Sequence, residues 1–539
     1  MPPSDSRQRS QPSGCPRALW ILPILLLALV GFDGARADHH RPAVPGLRSA
    51  RQAGFRSETA TDAAQARSAA ATPTLRVRLT RHGTLRPLPT SFLGLSTESW
   101  FVEALDSDPT ALDRVLNMLR VPGNGGLSFR IGGESTDETY WDAPSLGAGM
   151  ETYRPGKRWL TKLASLTRAT HLRLLLDFNL VARSPSMAAA FAEATSRALP
   201  AGSIAAFEVG NEPDIGHRQV ANPLTPEQKV PRSPVGWDEY SSSQYTSLFG
   251  SYRRAVRRVV PSARMAGPEI FFPGRDLSWL HKLLSADRSR LAMLTVHRYP
   301  LSSCASPAWH DYATIARVLG QSASGGLAHS LAGAVHVAQG AGVPVRLTEL
   351  NSVTCGGRLG VSNTFATALW APDTLFSMWK VGVSGVNLHI QPGNANAAFS
   401  VSSAGLVAHP LLYGMIMFAR ALGSGAELAP VRSSGATSSN VKVWAVRSSR
   451  HWLKVLVLNK GGGRVNAALD LGAHGAASVQ RLSAPSAAAT TGVSLDGQQL
   501  GPQGQWLGTR IIQHVSPSSR GTYTVAIPAY SGALVTLHL

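Results

Sequence analysis

Short apolar segments alternate with helical stretches through most of this chain. Eight segments have the length and composition of buried strands, at residues 92–96, 128–132, 172–178, 204–209, 264–266, 293–297, 345–349 and 385–389. Stretches of helical character lie between them, including residues 109–119, 186–198, 242–259, 325–339 and 363–381. Strands separated by helices form parallel sheets, and eight such units close a (β/α)8 barrel. We therefore expect an α/β barrel over residues 91–404.

The pattern changes after residue 405. Strands at residues 441–446, 452–458, 523–527 and 530–537 follow one another with Gly, Ser and Asn turns, and helical periodicity is mostly absent. This spacing is typical of an all-β sandwich, which we expect over residues 405–539. Residues 74–90 contain an alternating strand outside the barrel count, and we expect it to join the sandwich.

The first residues have the features of a targeting segment. Three arginines precede an apolar run at residues 18–32, and a small-x-small site follows at residues 35–37. The run is short for a membrane span. We interpret residues 1–37 as a signal peptide, although a retained membrane anchor is the alternative. Residues 38–73 are rich in Ala, Arg, Ser and Thr and predict a flexible linker.

The net charge is strongly positive. Removing the predicted signal peptide takes away four arginines and two aspartates, which lowers the formal charge from +20 to +18. Such a charge favours an acidic partner, but an even spread of arginine over the surface is an equal alternative. We expect a secreted or periplasmic monomer without stable membrane insertion.

Three cysteines occur in the chain. Cys15 leaves with the signal peptide, and Cys304 and Cys355 remain as a pair in an oxidising compartment. Each follows a predicted strand, so both lie at the same end of the barrel, and we expect a disulfide between them. No CxxC or His-Cys spacing suggests a metal, and we expect no cofactor.

Two predicted strands end in glutamates. The strand at 204–209 leads into Asn211-Glu212-Pro213, where the proline ends the ladder. The strand at 345–349 ends in Glu349. A single glutamate at a strand end is usually a solvated loop residue. Barrels of this kind carry their chemistry at the C-terminal ends of strands, however, and glycoside cleavage needs two opposed carboxyl groups. The pair predicts a glycosidase.

Over residues 75–539 the chain resembles glycoside hydrolase family 79, the β-glucuronidase and heparanase group of clan A. The resemblance is carried by FLGLSTE at 92–98, FRIGGESTD at 129–137, VGNEPD at 209–214, VHRY at 296–299 and ELNSVTCGG at 349–357. The Asn-Glu-Pro motif indicates the clan. The Arg-x-Gly-Gly and Cys-Gly-Gly pieces favour the family.

The resemblance implies a retaining double displacement on a β-linked glucuronic acid, in a glucuronide or a heparan-sulfate-like glycan. The acidic partner would then be an acidic polysaccharide or a glucuronide, and not nucleic acid. Glu212 would be the general acid/base and Glu349 the nucleophile. Asn211 would hold the sugar 2-hydroxyl, and Glu98 would bind other sugar hydroxyls.

The resemblance also implies that the backbone amides of Cys355 and Gly356 bind the uronate carboxylate. Successive amides in a glycine turn form an anion-binding nest, so this role is physically reasonable. The family often adds a tyrosine hydroxyl from the loop after the last barrel strand. The corresponding residue here is Phe399, which weakens the prediction of uronate specificity.

Other assignments stay open at this stage. His297 and Tyr299 alternate in sequence and predict substrate-binding residues beside Glu349, with a hydrogen-bonded core pair as the alternative. We expect Arg130 to be a structural ion-pair partner rather than an anion-binding group. Another clan A β-glycosidase, a xylosidase or glucosidase, is the alternative activity. A non-catalytic carbohydrate-binding protein is the other class, and exo- and endo-cleavage are both open.

Overall fold

The computed structural model describes residues 72–80, 84–105, 108–141, 153–215, 240–274, 276–391, 393–435, 440–448 and 451–539. These residues belong to one compact unit, Ala70–Leu539. The predicted signal peptide at 1–37 and nearly all of the predicted linker lie outside them. Within the described ranges, no helix combines the length and apolar character needed to cross a membrane.

Eight parallel strands close a barrel, as predicted. The strands of this half of the chain are β1 (Thr74–Leu79), β2 (Arg86–Pro87), β3 (Leu93–Glu98), β4 (Ser128–Gly132), β5 (Arg173–Phe178), β6 (Ile204–Val209), β7 (Met265–Ile270), β8 (Leu291–His297), β9 (Leu301–Ser302), β10 (Val345–Leu350), β11 (Val353–Thr354) and β12 (Val386–His389). The ring runs β3-β4-β5-β6-β7-β8-β10-β12 and closes from β12 to β3. Every predicted barrel strand is present, with ends that differ by a few residues.

The helices follow the strands in order. They are α1 (Phe101–Ala104), α2 (Pro109–Leu119), α3 (Lys157–Thr170), α4 (Pro185–Ala198), α5 (Ser242–Val259), α6 (Ser278–Asp287), α7 (Ile315–Leu319), α8 (Gly325–Ser330), α9 (Ala332–Ala341), α10 (Phe365–Val381) and α11 (Pro410–Ala421). The single helix expected at 325–339 is two helices. The Ser330 hydroxyl donates to the Leu327 carbonyl at 2.6 Å, and such a local bond competes with helix continuation.

The rest of the chain is mainly β-structure. Its strands are β13 (Phe399–Ser402), β14 (Gly405–Ala408), β15 (Glu427–Ala429), β16 (Val431–Gly435), β17 (Val441–Arg447), β18 (Trp452–Asn459), β19 (Val465–Asp470), β20 (Ala477–Ser483), β21 (Ser494–Leu495), β22 (Gln499–Leu500), β23 (Trp506–Leu507), β24 (Gln513–Val515), β25 (Thr522–Ile527) and β26 (Ser531–His538). One sheet runs β16-β1-β19-β25, and a larger sheet runs β2-β15-β17-β18-β26-β20-β21. The N-terminal strand β1 thus lies inside the smaller sheet, where it buries Leu75 and Val77.

One helix, α11, lies beyond the boundary that we expect at residue 404. The hairpin of β13 and β14 interrupts the strand–helix pattern there, but α11 follows it, packs against α10 and is buried along nearly its whole length. We therefore assign α11 to the barrel. Lys460, just after β18, lies 2.6 Å from Asp373 of α10, and both side chains are buried. We call this contact the barrel–sandwich ion pair.

Candidate active site

Both predicted catalytic glutamates lie at the C-terminal mouth of the barrel. Glu349 is the next-to-last residue of β10. After β6 the chain turns through Gly210 (φ 78°) and Glu212 (φ 46°). A Cβ on Gly210 would lie 2.7 Å from the Leu180 side chain, so glycine is required there. The left-handed backbone at Glu212 costs ~1–3 kcal/mol, a strain that recurs at functional sites.

The two carboxyl groups face each other across a histidine. His297 Nδ1 lies 3.0 Å from Glu212 Oε1 and 4.0 Å from Glu349 Oε2. One oxygen of each glutamate and the histidine nitrogen all lie within 4.8 Å of one another. Retaining glycosidases have carboxyl groups ~5–5.5 Å apart, whereas inverting enzymes need room for a water between them. The separation fits the retaining arrangement.

Glu349 is held by groups that stabilise its ionised form. The Tyr299 hydroxyl donates to Oε1 at 2.8 Å, and Arg130 donates to Oε2 at 2.8 Å. His389 Nδ1 lies 3.7 Å away. Burial alone would raise the pKa of Glu349, but His389, Arg130 and the Tyr299 hydrogen bond hold that pKa below its usual range. Glu349 is therefore an anion, as a nucleophile must be.

Glu212 has the opposite electrostatic environment. Burial raises its pKa well above the ordinary value, and the charge of Glu349 adds to that effect. Burial and Arg130 lower the pKa of His297, so this imidazole is neutral and does not offset the effect. Because His297 is neutral, the cations that lower the pKa of Glu349 are Arg130 and His389. The site thus combines a protonated and an ionised carboxyl group, as acid-assisted displacement requires.

Arg130 stands at the centre of a buried layer of acids beneath the glutamates. Its guanidinium lies 2.7 Å from Asp177, 2.9 Å from Glu269 and 3.5 Å from Glu208. Strand pairing sets Asp177 opposite Glu208. The carboxyl groups outnumber the single cation, and burial raises the pKa of Asp177 and Glu269, so protons neutralise part of the charge. Arg130 is the ion-pair partner that we expected, and it also contacts the proposed nucleophile.

Among the described residues, two clusters of three side chains are spaced closely enough to hold a metal ion. One is Glu212, His297 and Glu349, and the other is Asp177, Glu208 and Glu269. Arg130 already contacts every acid of the second group, and His297 contacts both glutamates of the first. Their donors therefore already have partners suited to acid–base chemistry.

Glu98 and Asn211 lie on the same mouth, at the ends of β3 and β6. Glu98 Oε2 accepts from the Ser135 amide at 2.9 Å, and Oε1 lies 3.3 Å from His389 Nε2. A Cβ on Gly133 would lie 2.3 Å from Glu98, which explains a glycine there. Asn211 Oδ1 accepts from Arg130 at 3.0 Å. The backbone N–H of Asn211 bonds Asp137, whereas no acceptor among the described residues takes its side-chain nitrogen Nδ2, which is available for a sugar hydroxyl.

The predicted disulfide joins Cys304 and Cys355. Cys355 (φ 54°) and Gly356 (φ 74°) form a left-handed turn, and no acceptor in the described ranges takes either backbone N–H. The Ser303 hydroxyl donates to the Cys355 carbonyl at 2.9 Å. Two free amides at the barrel mouth are the donors that an anion needs.

Phe399 takes no place beside these amides. It begins β13 and is buried in the hydrophobic core. Phe399, the residue that stands where the family often has a tyrosine, therefore belongs to the core. The loop that leads to β13 does pack against the Cys355–Gly356 turn, through residues before Phe399.

Two residues of the site were not predicted from the sequence. His389 ends β12 between Glu98 and Glu349, which together raise its pKa against the lowering effect of burial. Its position at the end of the last barrel strand is the signal that would have found it. Glu134 lies just after β4, where desolvation of its carboxyl group and the charges of Glu98 and Glu349 raise its pKa to about 7. It lies inside a quoted motif, but nothing in its spacing marks it.

Known proteins resemble this chain in two ways. Residues 440–535 match the family described as "Glycosyl hydrolase family 79 C-terminal beta domain". No curated protein sequence matches. Among solved structures, a 4-O-α-L-rhamnosyl-β-D-glucuronidase from Fusarium oxysporum 12S superposes with a TM-score of 0.68 at 18% identity, covering 86% of this chain and 100% of its own.

Other similar structures belong to different glycosidase families. A GH51 arabinofuranosidase from Xanthomonas axonopodis pv. citri has a TM-score of 0.59 at 15% identity, and a GH44 xyloglucanase from Paenibacillus polymyxa has 0.58 at 11%. Each comparison covers 86% of this chain and 100% of the other. At these identities the likeness concerns the fold. Residues 440–535 thus match the C-terminal β domain of glycoside hydrolase family 79, and the solved glycosidase structures share the barrel fold of this chain.

Proposed function

We propose that the protein is a retaining β-glucuronidase that acts by double displacement. The observation that carries this proposal is the pair of carboxyl oxygens of Glu212 and Glu349, which lie within 4.8 Å of each other in opposite electrostatic environments. An inactive carbohydrate-binding barrel would have no need of such a pair.

In the first step Glu349 attacks the anomeric carbon, and Glu212 protonates the departing oxygen. The bond to the leaving group breaks, and a glycosyl ester of Glu349 forms. Esterification removes the charge that raises the pKa of Glu212, so Glu212 remains ionised after giving up its proton and can accept a proton from the water of the second step. The Asn211 amide would strengthen its bond to the 2-hydroxyl in the transition state.

A glucuronide is the proposed donor. The free amides of Cys355 and Gly356 support recognition of a carboxylate, and the high positive charge of the chain favours an anionic glycan. The Fusarium oxysporum enzyme acts on a glucuronide, which agrees with this assignment. Heparan-type polymers carrying β-linked glucuronic acid are the leading natural substrates. The disulfide supports a secreted or periplasmic location, and we predict a monomer.

A panel of nitrophenyl glycosides tests the proposal. We expect the glucuronide to exceed the matching glucoside in kcat/KM by ~10²-fold or more, since donors built for a carboxylate remain unpaired with a neutral sugar. NMR of the first product should show the β-anomer. Equal rates on both sugars would favour another clan A β-glycosidase, such as a xylosidase or glucosidase. A first-formed α-anomer would exclude double displacement.

A further inference from the structure

The loop after β12 forms one wall of the turn that presents the free amides. The Ala395 amide donates to the Gly356 carbonyl at 2.8 Å. A Cβ on Gly357 would lie 2.8 Å from the Asn396 nitrogen, so the two backbones touch. The buried Asn396 side chain also donates to the Val353 carbonyl at 2.7 Å. These contacts fix the loop against the turn, and its side chains have defined positions there.

Asn394 is the side chain that this loop places over the turn. A Cβ built on Gly356 would have its three nearest atoms in the Asn394 carboxamide, with Oδ1 at 3.1 Å and Nδ2 at 3.6 Å. Asn394 is half-buried, and its Nδ2 donates to Gln391 Oε1 at 2.6 Å. An amide nitrogen carries two hydrogens, so one remains for a further acceptor.

We propose that the Asn394 carboxamide is the third donor of the substrate-carboxylate site, beside the Cys355 and Gly356 amides. This inference rests on the proposed glucuronidase function. Phe399 is buried in the core and cannot donate, whereas Asn394 lies against the same turn. Gln391 holds the carboxamide in place by accepting one of its hydrogens. Asn394 is therefore a specificity-determining residue for an acidic sugar.

A purely structural role for Asn394 makes a different prediction. If Asn394 only held the loop, its loss would weaken activity on acidic and neutral sugars alike. If Asn394 donates to the substrate carboxylate, its loss would weaken activity on the acidic sugar alone. The ratio of the two kcat/KM values, glucuronide over glucoside, therefore separates the two roles and cancels changes in folded fraction.

The decisive variant is Asn394→Asp, which keeps the side-chain shape but faces the substrate carboxylate with a second carboxylate. We expect the ratio to fall ~10- to 100-fold or more, since a hydrogen bond to a charged group is lost and a repulsion is added. Asn394→Leu removes the donor without a charge and should lower the ratio less. Asn363→Asp is the matched control, because its Oδ1 can still accept from the Gly360 amide and should leave the ratio unchanged.

The outcomes separate this inference from the function on which it rests. A wild-type enzyme without preference for glucuronide would overturn both. A wild-type preference that survives in Asn394→Asp and Asn394→Leu would overturn the role of Asn394 and leave the glucuronidase assignment standing. An equal fall of both activities in the two variants would assign Asn394 to loop structure and also reject the inference.

Discussion

Removing the charge of Glu349 should lower the pKa of Glu212. In the wild-type protein, oxygens of the two carboxyl groups lie within 4.8 Å of each other. The Glu349 anion is among the causes that raise the pKa of Glu212, second to burial. Glu349→Gln keeps the size of the side chain and removes the charge, so it isolates this electrostatic contribution.

The magnitude follows from Coulomb's law. Two unit charges at that separation interact with about 3.5 kcal/mol at an effective dielectric constant of ~20. One pKa unit corresponds to ~1.4 kcal/mol, so the pKa of Glu212 should fall by ~2–3 units in Glu349→Gln. The sign is fixed, because a neighbouring anion disfavours ionisation and its removal must favour it. Burial remains, so the pKa should still stay above that of an exposed glutamate.

The titration can be followed by NMR of protein labelled with 13C at glutamate side-chain carboxyl carbons. The Glu212 signal is assigned by its loss in Glu212→Gln. Glu98→Gln is the matched control, because it makes the same chemical change in the same mouth at a residue that is not among the main causes of the raised pKa of Glu212. A pKa that moves by less than one unit in Glu349→Gln, or that rises, would refute the electrostatic account of the acid/base.

Three further outcomes are expected. Glu212→Gln should lose ~10²–10⁴-fold in kcat with alkyl glucuronides but far less with nitrophenyl leaving groups, which need little protonation; equal losses on both would contradict its role as the acid. Replacing Cys304 and Cys355 together by alanine should raise KM for glucuronide while changing the melting temperature little, because the bond fixes the turn that carries the free amides. An unchanged KM would show that the turn keeps its shape without the disulfide. Asp373→Asn should lower the free energy of unfolding by ~3–5 kcal/mol in denaturant titrations, since it leaves the buried ammonium of the barrel–sandwich ion pair uncompensated. The control Asp470→Asn breaks an exposed ion pair and should change the free energy of unfolding by ~1 kcal/mol or less.

The barrel could be predicted because its strands are buried on both faces. Such strands are short continuous apolar runs, and helices of ordinary length separate them, so all eight were found. The boundary that we expect at residue 404 leaves out α11 for a related reason. The hairpin formed by β13 and β14 resembles the start of an all-β region, whereas α11 is so evenly apolar that its helical face is hard to see in the sequence.

The site was predictable where backbone position alone determines it. Glu212 and Glu349 end strands, and parallel strands end at one rim, so their proximity follows from the topology. The role of Phe399 could not be predicted in this way, because the path of a loop depends on hydrogen bonds such as those of Asn396. Glu134 was missed for the same reason. The raised pKa of Glu134 depends on spatial neighbours, which the sequence does not show.

The polar layer around Arg130 explains how two nearby carboxyl groups can have opposite protonation. The guanidinium contacts Glu349 directly, whereas Glu212 is paired with the neutral His297. A buried cation stabilises the anion that it touches far more than one that it does not touch, because the interaction falls with distance in a poorly screened interior. The acids beneath keep the guanidinium in place and neutralise it only in part, since protons remain on some of them. The difference between the proposed nucleophile and the proposed acid therefore originates in the two cations, His389 and Arg130, that lie beside Glu349.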